Sequence, residues 1–158
     1  MQKITPFLWF DTNAEQAVNF YLSVFKEAKR GKMLRYGDAG PGPKGQVITA
    51  EFEVFGLNFV ALNGGPQFNF TEAISFSIDC KSQEEVDYYW DKLSEGGEES
   101  MCGWLKDKFG VSWQVTPTEM PQLLSDKDPA KANAAMRAML QMKKIDIGKI
   151  KEAVAAAK

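Results

Sequence analysis

The chain has 158 residues, of which 44% are hydrophobic, and this is enough for the core of one domain of ordinary size. Its formal net charge of -2 gives no electrostatic case for binding nucleic acid or an anionic membrane. Histidine is absent, which removes the commonest metal ligand, and no segment has the pattern of a signal peptide or a membrane span. We therefore expect a cytoplasmic protein whose two cysteines, Cys80 and Cys102, are reduced.

The first predicted elements are a strand and a helix. Alternation of apolar residues predicts a strand over residues 3–10. Thr12 and Glu15 form a capping-box pattern at the start of an amphipathic helix. Three further strands are predicted at about residues 28–36, 46–54 and 57–63, the last two joined by a tight turn at Phe55 and Gly56. The first module, about residues 3–63, is thus a βαβββ unit.

The same pattern returns in a second module at about residues 73–117. Strand residue Phe10 corresponds to Ile78, and the Phe-Gly pair of the first turn returns as Phe109 and Gly110. Ser82 and Glu85 repeat the capping box. The predicted strands lie at about residues 73–79, 99–102, 104–108 and 112–117. We interpret the chain as a tandem duplication.

The chain after Pro117 has a helical pattern only. Asp128 before Pro129 predicts an N-cap with proline at the first helical position, and Asp146 begins a second short helix. The methionines of this tail, about residues 120–157, can contact a partner or pack against the protein's own sheet, which is the simpler interpretation. The expected fold is α+β: a single domain, residues 1–158, in which paired βαβββ modules form a curved mixed eight-stranded sheet around a cleft, with C-terminal helices.

One face of each strand must contact its helix, so the opposite face lines whatever the sheets enclose. That opposite face carries small polar residues beside Phe and Trp, which favours a ligand cleft over a solvent-facing surface rich in Lys and Glu. The candidate cleft residues are Thr5, Phe7, Trp9, Arg35, Thr49, Asn58, Val60, Ser75, Ser77, Ser112 and Gln114.

Several residues are candidates for chemistry, each with a simpler alternative. Glu51 can act as a base in a partly apolar cleft, or it can be a solvated strand residue. Cys102 can act as a nucleophile, although no histidine is available to activate it, or it can be a buried structural thiol. Arg35 can bind an anionic ligand or lie on the surface. Phe7 and Trp9 can stack on a planar ligand or belong to the core.

Two motifs, one in the second module and one in the tail, resemble one protein family. They are CGWLKDKFGVSWQVTP at residues 102–117 and AMLQMKKIDIGKI at residues 138–150. Both are similar to the PhnB-like branch of the vicinal-oxygen-chelate superfamily, which is often described as 3-demethylubiquinone-9 3-methyltransferase-like. The superfamily includes glyoxalases, extradiol dioxygenases and bleomycin-resistance proteins. The resemblance covers about residues 3–150.

The resemblance also implies where a metal would be held. Metal-using members of the superfamily take four ligands from positions that correspond here to Thr5 or Pro6, Val60, Ala73 and Gln114. Only Gln114 is a plausible ligand, because transition metals prefer imidazole, thiolate or carboxylate in sets of three or four. We therefore expect no bound metal.

No cofactor is expected either, because the loop at residues 40–43, Gly-Pro-Gly-Pro, does not have the form of a Gly-rich loop that opens a helix. The expected function is metal-independent binding of a small molecule by a homodimer, with the exact activity open. The alternative is an enzyme of the same fold, methyltransferase-like or a lyase or isomerase, that uses Glu51 or Cys102 in the cleft.

Overall fold

The computed structural model describes all residues, 1–158, in two compact units, Met1–Phe70 and Thr71–Lys158. The first unit comprises β1 (Phe7–Phe10), α1 (Ala14–Val24), β2 (Ala28–Arg35), β3 (Val47–Val54) and β4 (Leu57–Asn63). The second unit begins with β5 (Ser75–Cys80), α2 (Gln83–Ser94), β6 (Glu98–Glu99), β7 (Trp104–Lys106) and β8 (Ser112–Pro117). It ends with α3 (Met120–Leu124), α4 (Pro129–Leu140) and α5 (Ile147–Ala155). The predicted α+β class, with paired βαβββ modules and C-terminal helices, is confirmed.

Each module forms one four-stranded mixed sheet, and the two sheets have the same topology. The strand orders are β1-β4-β3-β2 and β5-β8-β7-β6. The first and last strands of each module are parallel, and the remaining pairs are antiparallel. The eight predicted strands are therefore present in two sheets of four, while the single domain and the enclosed cleft stay predictions. None of the helices has the length and hydrophobicity to cross a membrane.

The parallel strand pairs of the two modules differ in register. In the first module Phe7 pairs with Val60. Their counterparts in the sequence repeat are Ser75 and Gln114, but Ser75 pairs with Ser112 instead. The second module is therefore displaced by two residues along this pair. Because the side-chain period of a strand is also two, the displacement keeps every side chain on its predicted face.

The N-terminus of α1 differs from the predicted capping box at Thr12 and Glu15. The N-cap is Asn13, whose side chain makes no capping hydrogen bond. The backbone N–H of Ala14 instead donates to Asn63 Oδ1 of β4 at 2.9 Å. An orphan helix donor is thus satisfied from the neighbouring strand, a long-range contact that local sequence cannot reveal.

The other predicted N-caps are confirmed. Ser82 Oγ accepts a hydrogen bond from the backbone N–H of Glu85 at 3.2 Å. Asp128 caps α4 in front of Pro129, and Asp146 caps α5 through the N–H of Lys149. Each cap satisfies a backbone donor that would otherwise lack an intrahelical partner.

The core of the first unit lies between α1 and the sheet. The rings of Tyr21 and Phe52 stack with their centroids 5.6 Å apart, and Phe52 stacks on Phe59 at 5.1 Å. Ile4 and Ile74 belong to the predicted strands at residues 3–10 and 73–79, but they are 85% and 73% exposed, and each precedes the first residue of its observed strand.

The C-terminal tail packs within the second unit, on itself and on α2, while its packing against the sheet, the simpler of the two interpretations, stays a prediction. Its buried residues form one cluster, Met120, Ala135, Ile145 and Ile150. The side-chain amide of Gln83 on α2 donates to the carbonyl of Ile145 and accepts from the N–H of Ile147, both at 2.9 Å. Lys144 also pairs with Asp87 at 3.0 Å. These contacts fix the tail to α2.

Candidate ligand-binding faces

The first unit presents two rows of side chains on the sheet face opposite α1. Strand pairing places Phe7, Val60 and Glu51 in one row across β1, β4 and β3. Phe7 and Glu51 are exposed, whereas Val60 is buried. Thr5 and Asn58 lie beyond this row and are exposed, with Gln2 bonded to the backbone N–H and carbonyl of Asn58. The row is mainly apolar, with one carboxylate at its end.

The second row contains Trp9, Leu62 and Thr49. The indole N–H of Trp9 donates to the carbonyl of Gly65 at 2.9 Å, and its ring meets Phe68 edge-on at 5.0 Å. A Cβ added to Gly64 would lie 2.3 Å from the indole, so the loop after β4 is in direct contact with this ring. Trp9 is therefore packed against its own chain, and Thr49 beside it is half-buried.

Arg35 lies in different surroundings from the other candidates. Its guanidinium pairs with Glu15 of α1 at 3.2 Å and donates to the carbonyl of Gly45 at 2.9 Å. Because Glu15 belongs to the helix, this places Arg35 by α1 and at the base of the loop after β2. Its role as a ligand contact stays a prediction.

The second unit carries a more polar row on the face opposite α2. Strand pairing places Ser75, Ser112, Lys106 and Glu98 side by side across all four strands. Gln114 lies in the next row and donates from Nε2 to Ser75 Oγ at 2.9 Å. Ser77, also a candidate, is exposed beside Gln114.

This face contains a pocket of about 160 Å³. The residues that line it are Glu72, Glu98, Glu99, Ser100, Trp104, Leu105, Lys106 and Ser112. The volume is below the roughly 300 Å³ at which pockets for drug-sized ligands begin, so it fits a small molecule or one end of a larger one. Only Ser112 of these lining residues was a candidate from sequence.

Ser112 is 1% exposed, and its hydroxyl has no hydrogen-bond partner. It is the only buried side-chain oxygen or nitrogen in the chain left unpaired. Leaving such a group without a partner costs about 1–3 kcal/mol, so its presence in the wall of a pocket calls for an explanation. A ligand atom that completes the hydrogen bond supplies one.

The pocket lining carries more negative than positive charge. The ammonium of Lys106 pairs with the carboxylate of Glu72. This hydrogen bond holds the pKa of Glu72 below its ordinary value and raises the pKa of Lys106, to which Glu98 adds a smaller electrostatic contribution. Glu99 accepts a hydrogen bond from the indole N–H of Trp90 at 3.1 Å. Neither Glu98 nor Glu99 forms an ion pair, so the pocket carries two carboxylates without a compensating cation.

Cys102 is half-buried and lies in the left-handed backbone region, with φ of 60°. Its N–H donates to the carbonyl of Met142 at 2.7 Å, and Gly103 bonds the carbonyl of Lys143 at 2.8 Å. The unusual backbone conformation is thus accounted for by contact with the tail. The other thiol, Cys80, is buried, and this burial raises its pKa to about 12. Glu51 lies in the first unit and Cys102 in the second, and catalysis by either stays a prediction.

Sequence reasoning overlooked Asp107, which organises the turn between β7 and β8. Its Oδ1 accepts from the N–H groups of Phe109 and Val111 at 2.8 and 3.1 Å, and its Oδ2 accepts from the indole of Trp113 at 2.9 Å. The carboxylate is only 2% exposed. An aspartate side chain often accepts a hydrogen bond from the backbone N–H two residues later in a turn. The position of Asp107, two residues before Phe109, is the sequence signal that could have predicted this turn.

The positions that the superfamily uses for metal binding do not fit a divalent cation. Val60 and Ala73 have no donor atom in their side chains, and Thr5 offers only a hydroxyl. No group of three or more Asp, Glu, Cys or His side chains is arranged to hold a metal ion. The donor set therefore lacks the ligands that a transition metal requires.

The fold and residues are similar to those of several solved structures. A PhnB protein of Bacillus cereus is 40% identical over 74% of this chain and 100% of its own, with a TM-score of 0.68. A protein of Pseudomonas aeruginosa is 26% identical over 74% of this chain and 98% of its own, with a TM-score of 0.63. A fosfomycin resistance protein of Listeria monocytogenes, crystallised with Mn(II) and sulfate, is 15% identical over 75% of this chain and 94% of its own, with a TM-score of 0.51. The last likeness concerns the fold alone.

These structures define the chain as a protein of the vicinal-oxygen-chelate fold. The sequence profile of the 3-demethylubiquinone-9 3-methyltransferase family matches residues 2–116. The chain belongs to this family, which includes the PhnB protein. The match ends before α3, so the helical tail with its motif at residues 138–150 lies outside it. Comparison with curated proteins gave no match.

Proposed function

We propose that this protein binds a small molecule, without a resident metal ion, on the sheet faces opposite α1 and α2. The observation that carries the proposal is the unpaired, buried hydroxyl of Ser112 in the wall of the pocket. A buried polar group without a partner is costly for the folded protein alone and favourable once a ligand supplies the partner. The residues at the superfamily's metal positions favour binding without an ion.

We infer in addition that the protein is a cytoplasmic homodimer. Strands β1 and β5 each lie at an edge of their sheet, and the nearby side chains of Ile4, Phe7 and Ile74 are exposed. Edge strands flanked by exposed apolar side chains are surfaces that a second chain can cover. The two unpaired cysteines agree with a reducing compartment.

Native mass spectrometry of the purified chain tests these proposals together. We expect the mass of a dimer and a retained small molecule. Ser100 lines the pocket and is exposed, so Ser100→Trp should displace that molecule while leaving the dimer intact. Retention of the same molecule by Ser100→Trp would place the site elsewhere, and a monomer mass would remove the dimer proposal.

The competing function is an enzyme of the same fold that uses Glu51 or Cys102. A protein that only binds has no turnover to lose, so Glu51→Gln and Cys102→Ser should leave every assay of reactivity at the background level. Loss of a reproducible activity in either variant would show that the protein is an enzyme.

A further inference from the structure

The pocket of the second unit has a chemical character that identifies the class of its ligand. Three features of its wall bear on this: an unpaired carboxylate, an unpaired buried hydroxyl and an indole ring, contributed by Glu98, Ser112 and Trp104. The ligand class that these features indicate rests on the proposed small-molecule function and specifies which molecules the protein binds.

The charges of the pocket favour a cation over an anion. Lys106 is the only cation in the lining and is already paired with Glu72. An anionic ligand would have to separate this pair and would then lie near Glu98. A cationic ligand can approach Glu98 without breaking the pair, and it neutralises one of the two carboxylates that have no ion pair.

The remaining groups fit a protonated amine rather than a metal ion. An ammonium group has several N–H donors, and both the Glu98 carboxylate and the Ser112 hydroxyl can accept from it. Glu98 and Ser112 lie in one row of the sheet, on either side of Lys106. The indole of Trp104, which is half-buried in the same wall, offers an aromatic face of the kind that attracts organic cations.

We propose that this pocket binds the protonated amino group of a small organic molecule, with Glu98 and Ser112 accepting its hydrogen bonds and Trp104 flanking its carbon chain. The pocket volume of about 160 Å³ matches an alkyl ammonium group or the amino end of a longer ligand. The hydroxyl left unpaired in the protein alone is then satisfied in the complex.

Three probes with the same carbon chain separate the head groups: n-butylammonium, butyrate and 1-butanol, each added to the isotope-labelled full chain at pH 7. Amide and indole NMR signals report where each probe binds. We expect n-butylammonium to shift the signals of Ser112, Lys106 and the Trp104 indole with a Kd on the order of 1 mM. Butyrate and 1-butanol should bind about tenfold more weakly, or not at all, because neither neutralises Glu98.

Two variants test which residues bind the amine, and a third is their control. Glu98→Gln should weaken binding of n-butylammonium about tenfold. Ser112→Ala should weaken it severalfold while the rest of the spectrum is unchanged, because the substitution removes only an unpaired hydroxyl. Glu84→Gln removes the same charge from an exposed position on α2 and should leave the Kd unchanged.

A lower Kd for butyrate or 1-butanol than for the amine would overturn the amine proposal and leave the small-molecule function standing. An unchanged Kd in both Glu98→Gln and Ser112→Ala would also overturn it, because binding would then lie outside this pocket. If none of the probes shifts any signal on the sheet faces opposite α1 and α2, the amine proposal and the small-molecule function both lose their support.

Discussion

The first module places Phe7, Val60 and Glu51 in a row across the sheet face opposite its helix, whereas the second module places Ser75, Ser112 and Lys106 there. One row is largely apolar, and the other is polar. The strand order of the two sheets is nevertheless identical. A duplicated fold can thus keep its packing face constant while its opposite face diverges, because only the packing face is constrained by the helix.

The hairpins of the two modules show the same divergence. Phe55 and Gly56 form a two-residue turn in which both have positive φ, 50° and 81°. In the second module Asp107 and Val111 close a longer turn by hydrogen bonds, and only Gly110 has positive φ within it. The same Phe-Gly dipeptide thus lies in turns of different geometry in the two modules, because the buried carboxylate of Asp107 organises the turn of the second module.

The substitution expected to cost the most stability is one that breaks this second turn. Asp107→Ala leaves two backbone N–H groups and the Trp113 indole without their acceptor, so we expect the free energy of unfolding to fall by about 3–5 kcal/mol. Glu53, at the corresponding hairpin of the first module, has only a 3.9 Å contact with Lys29, and Glu53→Ala should cost about 0.5 kcal/mol or less. Chemical denaturation measures both; similar losses would show that Asp107 does not carry the turn.

The next prediction compares two glycines whose backbone lies in the left-handed region. Gly103 has φ of 82°, and an added Cβ would lie 2.7 Å from the carbonyl oxygen of Val115. Gly56 has a similar φ but nothing within 4 Å of an added Cβ. We expect Gly103→Ala to cost about 3 kcal/mol and Gly56→Ala about 1 kcal/mol, since the second change incurs backbone strain alone. Equal losses in thermal unfolding experiments would mean that the steric contact with β8 is unimportant.

A smaller change in stability, and one of opposite sign, is expected for Ser112 in the polar row of the second unit. Ser112→Ala removes a buried hydroxyl that has no partner, so stability should be unchanged or increase by about 1 kcal/mol. Ser75→Ala removes the acceptor of the Gln114 amide and should decrease stability by about 0.5–1 kcal/mol. The melting temperature should therefore fall in Ser75→Ala and stay the same or rise in Ser112→Ala. A clear loss of stability in Ser112→Ala would show that the hydroxyl has a structural role.

The smallest expected loss of stability concerns the contact between the tail and Asp87 of α2. The hydrogen bond from Gln83, followed by the one from Lys144, holds the pKa of Asp87 below its ordinary value near 3.8. Because the folded pKa is the lower one, the stabilisation is present above pH 4 and is lost as the pH falls through that lowered pKa. At pH 7, Asp87→Asn should cost about 0.5 kcal/mol or less, because both partners are partly exposed to solvent. The difference from the wild type should vanish once the pH has fallen below the lowered pKa of Asp87; a difference that persists after this carboxyl is protonated would contradict this origin.

Local signals in the sequence were sufficient for most of the fold. The N-caps Ser82, Asp128 and Asp146 and the bounds of β4 and β8 could be predicted because alternation, capping and proline act over a few residues. The cap of α1 could not, since its donor is satisfied by Asn63 of a distant strand. The five-residue helix α3 was missed because it is too short to show a helical period.

The candidate site was predictable only in part. Alternation correctly placed Ser75, Ser112 and Gln114 on one sheet face, because side-chain direction follows from strand period alone. It could not show that Lys106 and Glu98 join Ser112 in one row, since this depends on the register of two antiparallel pairs. Nor could it show that the Ser112 hydroxyl lacks a partner, which is a property of the packed structure.

A crystal structure of the protein soaked with n-butylammonium tests most directly whether the polar face of the second module is the binding face. We predict electron density for the amine between Glu98 and Ser112, with its nitrogen at a hydrogen-bonding distance of about 2.7–3.2 Å from Ser112 Oγ, and none beside Phe7 and Val60. Density confined to the first module, or a Ser112 hydroxyl already bonded to its own chain, would contradict the account.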